Sequence, residues 1–136
     1  IHDYTVELFQ SKLSKLFDRH ISINETRKLF NHHVGHYVGL DLHDTQYYSR
    51  RNPLRDGNVI TIEPGVYIPY SDEYPMKYQG IGIRIEDTVL ITSEQKNPQG
   101  YEVLTKKAPK EISDIENIMC NEEDRIFCKR LIQSIQ

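Results

Sequence analysis

Four of the six histidines of this 136-residue chain fall within thirteen residues, together with two aspartates. The stretch is His32-His33-Val34-Gly35-His36-Tyr37-Val38-Gly39-Leu40-Asp41-Leu42-His43-Asp44. Imidazoles at that density suit metal ligation or proton transfer. Two later apolar runs each carry a carboxylate, Val59-Ile60-Thr61-Ile62-Glu63-Pro64-Gly65 and Ile81-Gly82-Ile83-Arg84-Ile85-Glu86-Asp87. A nitrogen from His36 with oxygens from Glu63 and Glu86 is a hard-to-borderline donor set. It suits manganese, zinc, cobalt or iron better than a thiolate-loving metal. Three donors in or beside strands that converge would make a preorganised site. Taken alone, Arg84 and Glu86 read equally well as a solvated ion pair of little energetic weight.

The elements that hold these residues follow from periodicity. On a helix His32 and His36 share a face, but Gly35 and Gly39 weaken a helix, and the glutamate of a His-Glu-x-x-His motif is absent. On an extended chain the even separation also aligns them. His43, an odd step away, joins them only if the chain bends near Gly39 to Asp41. His33 alternates away and takes a packing role. Val59 to Ile62 reads as a strand halted by Glu63-Pro64-Gly65, resuming at Val66 to Pro69. Ile81 to Ile91 reads as one strand, with Ile81, Ile83 and Ile85 on one face and Gly82, Arg84 and Glu86 on the other.

Upstream, Leu8, Phe9, Leu13, Leu16 and Phe17 predict a helix from Asp3 to about Arg19, capped by Asp3 or Thr5 and closed by Arg19-His20 against its dipole. His2 and His20 read as surface residues. Residues 21–31 form a connector with a helical turn at 25–30, residues 45–57 a loop ending in a turn, and residues 70–79 a polar, aromatic loop. A short strand at 101–104 precedes helices at about 111–119 and 122–135, the second capped by Asn121. Cys120 and Cys128 on one helix would stand roughly 12 Å apart, beyond disulfide reach, and read as free thiols.

The length fits one domain spanning residues 1–136, with a helical extension at about 111–136. A net charge of -3 gives no basic footprint for nucleic acid. No apolar run is long enough for a transmembrane segment.

Together, the run from His32 to Thr45, the run from Asn58 to Pro69 and the run from Gly80 to Asp87 resemble the C-terminal part of the aminopeptidase P (Xaa-Pro aminopeptidase) family. The resemblance runs from about Asp3 to Met119, and the tail from Ala108 to Glu116 is similar to the mitochondrial branch. It implies an α+β fold, the C-terminal half of a pita-bread domain with a curved, mostly antiparallel sheet and flanking helices. It implies two divalent metal ions, manganese first, with His36 and Glu63 on one metal and Glu86 bridging both. His32 and His43 correspond to histidines that hold substrate and stabilise the oxyanion, Arg84 to an arginine that orients the carboxylates, and Glu63 to the proton relay. The activity implied is release of one N-terminal residue from a peptide or an imported mitochondrial protein, in the matrix or at the inner membrane.

In that family two aspartates and a further histidine complete the site upstream of the position of Ile1, and none of Asp3, Asp18 or Asp41 lies in a matching motif. The expected partner is therefore a complementary N-terminal half of the same protein, without which this piece binds metal weakly and leaves apolar sheet surface uncovered. A homodimer is compatible with the resemblance. A prolidase-type dipeptidase and a non-catalytic protein-binding module of the same fold are the competing readings.

Overall fold

The computed structural model describes residues 1–45 and 47–119. The chain divides into two compact units, Ile1–Thr105 and Lys106–Gln136. The expectations for Cys120, Cys128, Asn121 and a helix at 122–135 lie outside the described residues.

The first unit opens with α1, His2–Leu16. Its inward stripe is Val6, Phe9, Leu13 and the following Phe17, spaced by three or four residues as a one-sided helix requires. Leu8 and Leu16, expected on that stripe, are exposed instead. Neither Asp3 nor Thr5 caps the helix: Ile1 is the N-cap, and the Thr5 hydroxyl donates to the Ile1 carbonyl. The chain leaves α1 through Asp18 at φ +51°, the Arg19 N–H closes the helix end on the Ser14 carbonyl at 3.1 Å, and the Arg19 guanidinium turns to Glu25.

The expected helical turn is a full element, α2, Ile23–Leu29. Ser22 and Glu25 carry the spacing of a capping box, and the Ser22 hydroxyl accepts from the Glu25 N–H at 3.1 Å. The Glu25 carboxylate faces the Arg19 guanidinium, which also donates to the Glu73 carbonyl at 3.0 Å. The hydrogen bond from Arg19, against some opposing burial, holds the Glu25 carboxyl below its usual range.

Five short strands follow: β1 Val59–Ile62, β2 Gly65–Tyr67, β3 Gly82–Arg84, β4 Asp87–Ile91 and β5 Tyr101–Val103. β1, β4 and β5 form one antiparallel sheet in the order β1-β4-β5, and β2 pairs with β3 in a second. The single strand expected over residues 81–91 is thus divided between two sheets. Pro64 explains the break, because it has no N–H to give the ladder where β1 passes into β2. The partner strand lapses at the same level, at Ile85 and Glu86.

Helices and strands meet in two apolar clusters. Leu13, Phe17, Ile21, Leu29, Ile68 and Tyr74 form one, and Val6, Phe30 and Val34 the other. Complete burial of each large side chain contributes about 1.5–3 kcal/mol. Ile62, Val66 and Ile68 pack against these clusters, so the even positions of β1 and β2 face the helices. The odd positions are free for other work. The loop at 70–79 contains a 3-10 turn, Met76–Tyr78, and its Tyr74 ring lies 5.7 Å from Phe17. It completes the core.

The second unit contains α3, Ile112–Met119, within the predicted extension. Ile112, Ile115, Ile118 and Met119 are exposed on it.

Candidate metal centre

Residues 34–38 run extended beside β1, which resolves the helix-or-strand alternative. Glu63 donates its N–H to the Val34 carbonyl at 2.7 Å, Thr61 to His36 at 2.8 Å, and Val38 to Val59 at 3.0 Å. Gly35 permits this approach. A Cβ on it would lie 1.9 Å from the Thr61 carbonyl oxygen. The chain then bends back, with Asp44 donating its N–H to the Tyr37 carbonyl at 3.2 Å. That bend brings the His43 ring edge-on to His36 at 4.5 Å, as the odd spacing required.

Each of His36, Glu63 and Glu86 offers a donor atom, and these atoms lie within 4.8 Å of one another. Glu63 is buried, His36 partly buried, and Glu86 exposed. The register explains the grouping. Ile62 pairs with Asp87 and Gly65 with Arg84, so one continuous register sets Glu63 opposite Glu86 across the gap left by Pro64.

Hydrogen bonds fix the first two donors. Nδ1 of His36 lies 2.9 Å from the Tyr37 carbonyl, which can only accept, so Nδ1 carries the proton and Nε2 turns inward. There Nε2 is 3.4 Å from Glu63 Oε1. A neutral imidazole lone pair facing a carboxylate oxygen at that distance needs a cation between them or a second proton on the ring. Glu63 is held from both sides. Thr61 donates its hydroxyl to Oε1 at 3.0 Å, and Arg84 donates to Oε2 at 3.2 Å. Thr61 also accepts the His36 N–H at 3.0 Å, coupling the two donors through one buried hydroxyl. One imidazole nitrogen and two carboxylates with outer hydrogen bonds are a donor set that fits a divalent cation.

His32 lies at the edge of the same cleft. Its Nδ1 donates to the His33 carbonyl at 2.8 Å, leaving Nε2 to the Tyr67 hydroxyl at 3.2 Å. Burial first, and the Arg84 charge second, hold its pKa below the ordinary histidine value, with Glu63 opposing. Arg84 is held in its charged form by Tyr67 first and Glu63 second.

The cleft, of about 1320 Å³, is lined by His32, His36, His43, Glu63, Tyr67 and Arg84 among others. His33 is exposed, with its ring 4.9 Å from His2. His2 departs from its surface assignment: it is partly buried, its Nδ1 is enclosed without a hydrogen-bond partner, and burial lowers its pKa. His20 is exposed as expected. Thr61 and Tyr67 were not singled out from the sequence. Their alternation with Glu63 and Gly65 along residues 61–67 is the signal that would have found them.

Metallopeptidase family M24 matches residues 2–93. The intermediate cleaving peptidase 55 of Saccharomyces cerevisiae is 41% identical over 132 residues, covering 93% of this chain and 25% of the relative. The mitochondrial intermediate cleaving peptidase 55 of Arabidopsis thaliana is 46% identical over 125 residues, covering 89% and 23%. A crystal structure of the yeast protein superposes with a TM-score of 0.76 at 42% identity, covering 88% of this chain and 29% of that one. The chain spans about a quarter of the length of the curated relatives it matches.

Proposed function

The chain belongs to metallopeptidase family M24, and on that premise we propose that it supplies the C-terminal half of the pita-bread catalytic domain of a metal-dependent aminopeptidase. The observation that carries the reading is the facing pair of His36 Nε2 and Glu63 Oε1 with Glu86 beside them, an arrangement that a divalent cation between the three would satisfy. In this reading His36, Glu63 and Glu86 are ligands, and manganese is the first choice among the metals such donors accept. A divalent ion held there supplies a Lewis acid and a water of lowered pKa.

The chain's own residues do the rest. Thr61 and Arg84 fix the plane of the Glu63 carboxylate, so that its oxygens stay aimed while it passes a proton to the leaving amine. His32 and His43 stand at the cleft to hold the peptide and hydrogen-bond the scissile carbonyl as charge develops on its oxygen. The substrate is a peptide or protein N-terminus, from which one residue is released.

The ligand set is completed by the upstream part of the same protein. Two features support that partner: the chain's quarter share of its relatives' length, and the exposed apolar side chains of Ile81, Ile83 and Ile85 along β3. By similarity to the Arabidopsis relative the protein works in mitochondria, in the matrix or at the inner membrane. Among the described residues no helix is long and apolar enough to cross a membrane.

The test is calorimetric titration of manganese into the chelator-treated full-length protein, with N-terminal residue release assayed alongside. Binding and cleavage that both disappear in His36→Ala support the proposal. Full-length protein that folds yet neither binds metal nor releases a residue overturns it, and leaves a protein-binding role for the fold.

A further inference from the structure

We propose that His2 is a positioning residue of this site, its ring steadying His33 so that the His33 carbonyl holds the His32 imidazole in a fixed orientation at the cleft. The proposal rests on the function assigned above to His32. It starts from a polar residue at an apolar position. His2, Val6, Phe9 and Leu13 follow one another at steps of four, three and four residues, so His2 extends the inward stripe of α1 by one turn. Its Nδ1 is enclosed there without a hydrogen-bond partner, a cost that a leucine would not carry. Burial first holds its pKa below the ordinary histidine value, with Asp3 opposing, so the ring packs in its neutral form.

The neighbours of that ring account for the histidine. It lies 4.9 Å from the His33 ring, tilted by 47°, and 5.3 Å from Phe30, separations at which aromatic rings attract. The His33 side chain is otherwise exposed, while its carbonyl accepts the Nδ1 hydrogen of His32 at 2.8 Å. Residues 31–33 have little else to fix them. They lie between the end of α2 and the ladder that opens at Val34, and among the described residues they make no backbone–backbone hydrogen bond. Side chains must therefore set the peptide planes. Phe30, only 2% exposed, stands edge-on to Phe9 at 5.2 Å and to His32 at 4.9 Å. The floor beneath His32 thus comes from the helices. The direction of its Nδ1 hydrogen bond comes from His33, which leans on His2. Without the His2 ring, the His33 carbonyl can swing away, Nδ1 loses its acceptor, and the His32 imidazole turns in the cleft.

His2→Leu keeps the stripe apolar but offers His33 no ring. In the metal-loaded full-length protein kcat falls about 10-fold, short of the roughly 100-fold that a 1 Å misplacement can cost, while KM, manganese affinity and the denaturant midpoint stay near wild type. His2→Phe, which restores a ring, recovers most of the rate. His33→Ala, at an exposed position, reproduces the loss, and adding His2→Leu to it has little further effect. A second measurement needs no activity. In metal-free full-length protein labelled with 15N-histidine, the Nδ1 protons of His32 and His36 each face a carbonyl and give resolved signals. His2→Leu broadens the His32 signal through exchange with solvent and leaves that of His36 unchanged.

Wild-type kcat with a sharp His32 signal in His2→Leu overturns the proposal. Equal losses in His2→Leu and His2→Phe overturn it too, as does a His2→Leu loss that persists in full on the His33→Ala background. Folded wild type that releases no residue overturns the functional reading and this proposal with it. Active wild type with an indifferent His2→Leu overturns this proposal alone.

Discussion

Glu63 stands directly across from Glu86, although the hydrogen-bonded ladder lapses between them. The registers on either side, Ile62 with Asp87 and Gly65 with Arg84, are continuous. Pro64 interrupts the ladder without shifting it. Two carboxylates on facing strands repel each other, an arrangement that costs energy unless a cation accompanies them. The same face continues through Gly65 and Tyr67 on one strand and Arg84 and Gly82 on the other, so one side of a two-stranded ribbon carries the two candidate carboxylate ligands and Arg84, which hydrogen-bonds one of them.

Gly35→Ala drives a Cβ into the Thr61 carbonyl, which is backbone and cannot swing aside. The strand must separate from β1, or the segment bearing His32 and His36 must shift. A loss of about 3 kcal/mol is expected, among the larger effects of a single substitution. Denaturant unfolding of the full-length protein measures it, and stability equal to wild type would contradict the fit described here.

Thr61→Val is nearly isosteric but leaves the His36 N–H and Glu63 Oε1 without their shared hydroxyl. An unpartnered buried polar group costs about 1–3 kcal/mol. Metal affinity should fall by about 10–100-fold, as for other outer partners of ligands. Thr61→Ser, which restores the hydroxyl, should recover most of that affinity by calorimetry.

Arg19→Ala tests the ion pair that joins α1, α2 and the 70–79 loop. Arg19 is more than a third exposed, so solvent screening keeps the contribution of the pair small at neutral pH. The Glu25 carboxyl is depressed in the folded state, so the unfolded chain binds more protons in the window below its ordinary value. The contribution is thus complete above the usual carboxylate range and lost as pH falls through the lowered pKa. Thermal melts should separate wild type from variant near pH 7 and converge in acid. A gap unchanged down to pH 2 would contradict the assignment.

The first helix and the first strand were legible in the sequence, because apolar positions such as Phe9, Leu13 and Phe17 or a β-branched run such as Val59 to Ile62 have few other ways to bury themselves, although Val6 lies on the buried stripe in place of Leu8 and Leu16. The break between β3 and β4 was not legible. Ile83, Ile85 and Val89 suit one strand as well as two, and only the pairing with a Pro64-interrupted partner divides them. The grouping of His36 with Glu63 and Glu86 could be anticipated from strand-borne carboxylates, but their mutual register depends on contacts between segments distant in sequence. Thr61 and Tyr67 went unnoticed because threonine and tyrosine are ordinary strand residues. What distinguishes them is the hydrogen bonds they make across the sheet.

The most direct test of the account is anomalous diffraction from crystals of the full-length protein grown with manganese. The account predicts a peak at bonding distance from His36 Nε2 and from carboxylate oxygens of Glu63 and Glu86, lost in His36→Ala. Ordered crystals without a peak among these three side chains, or with manganese bound only elsewhere, would contradict it.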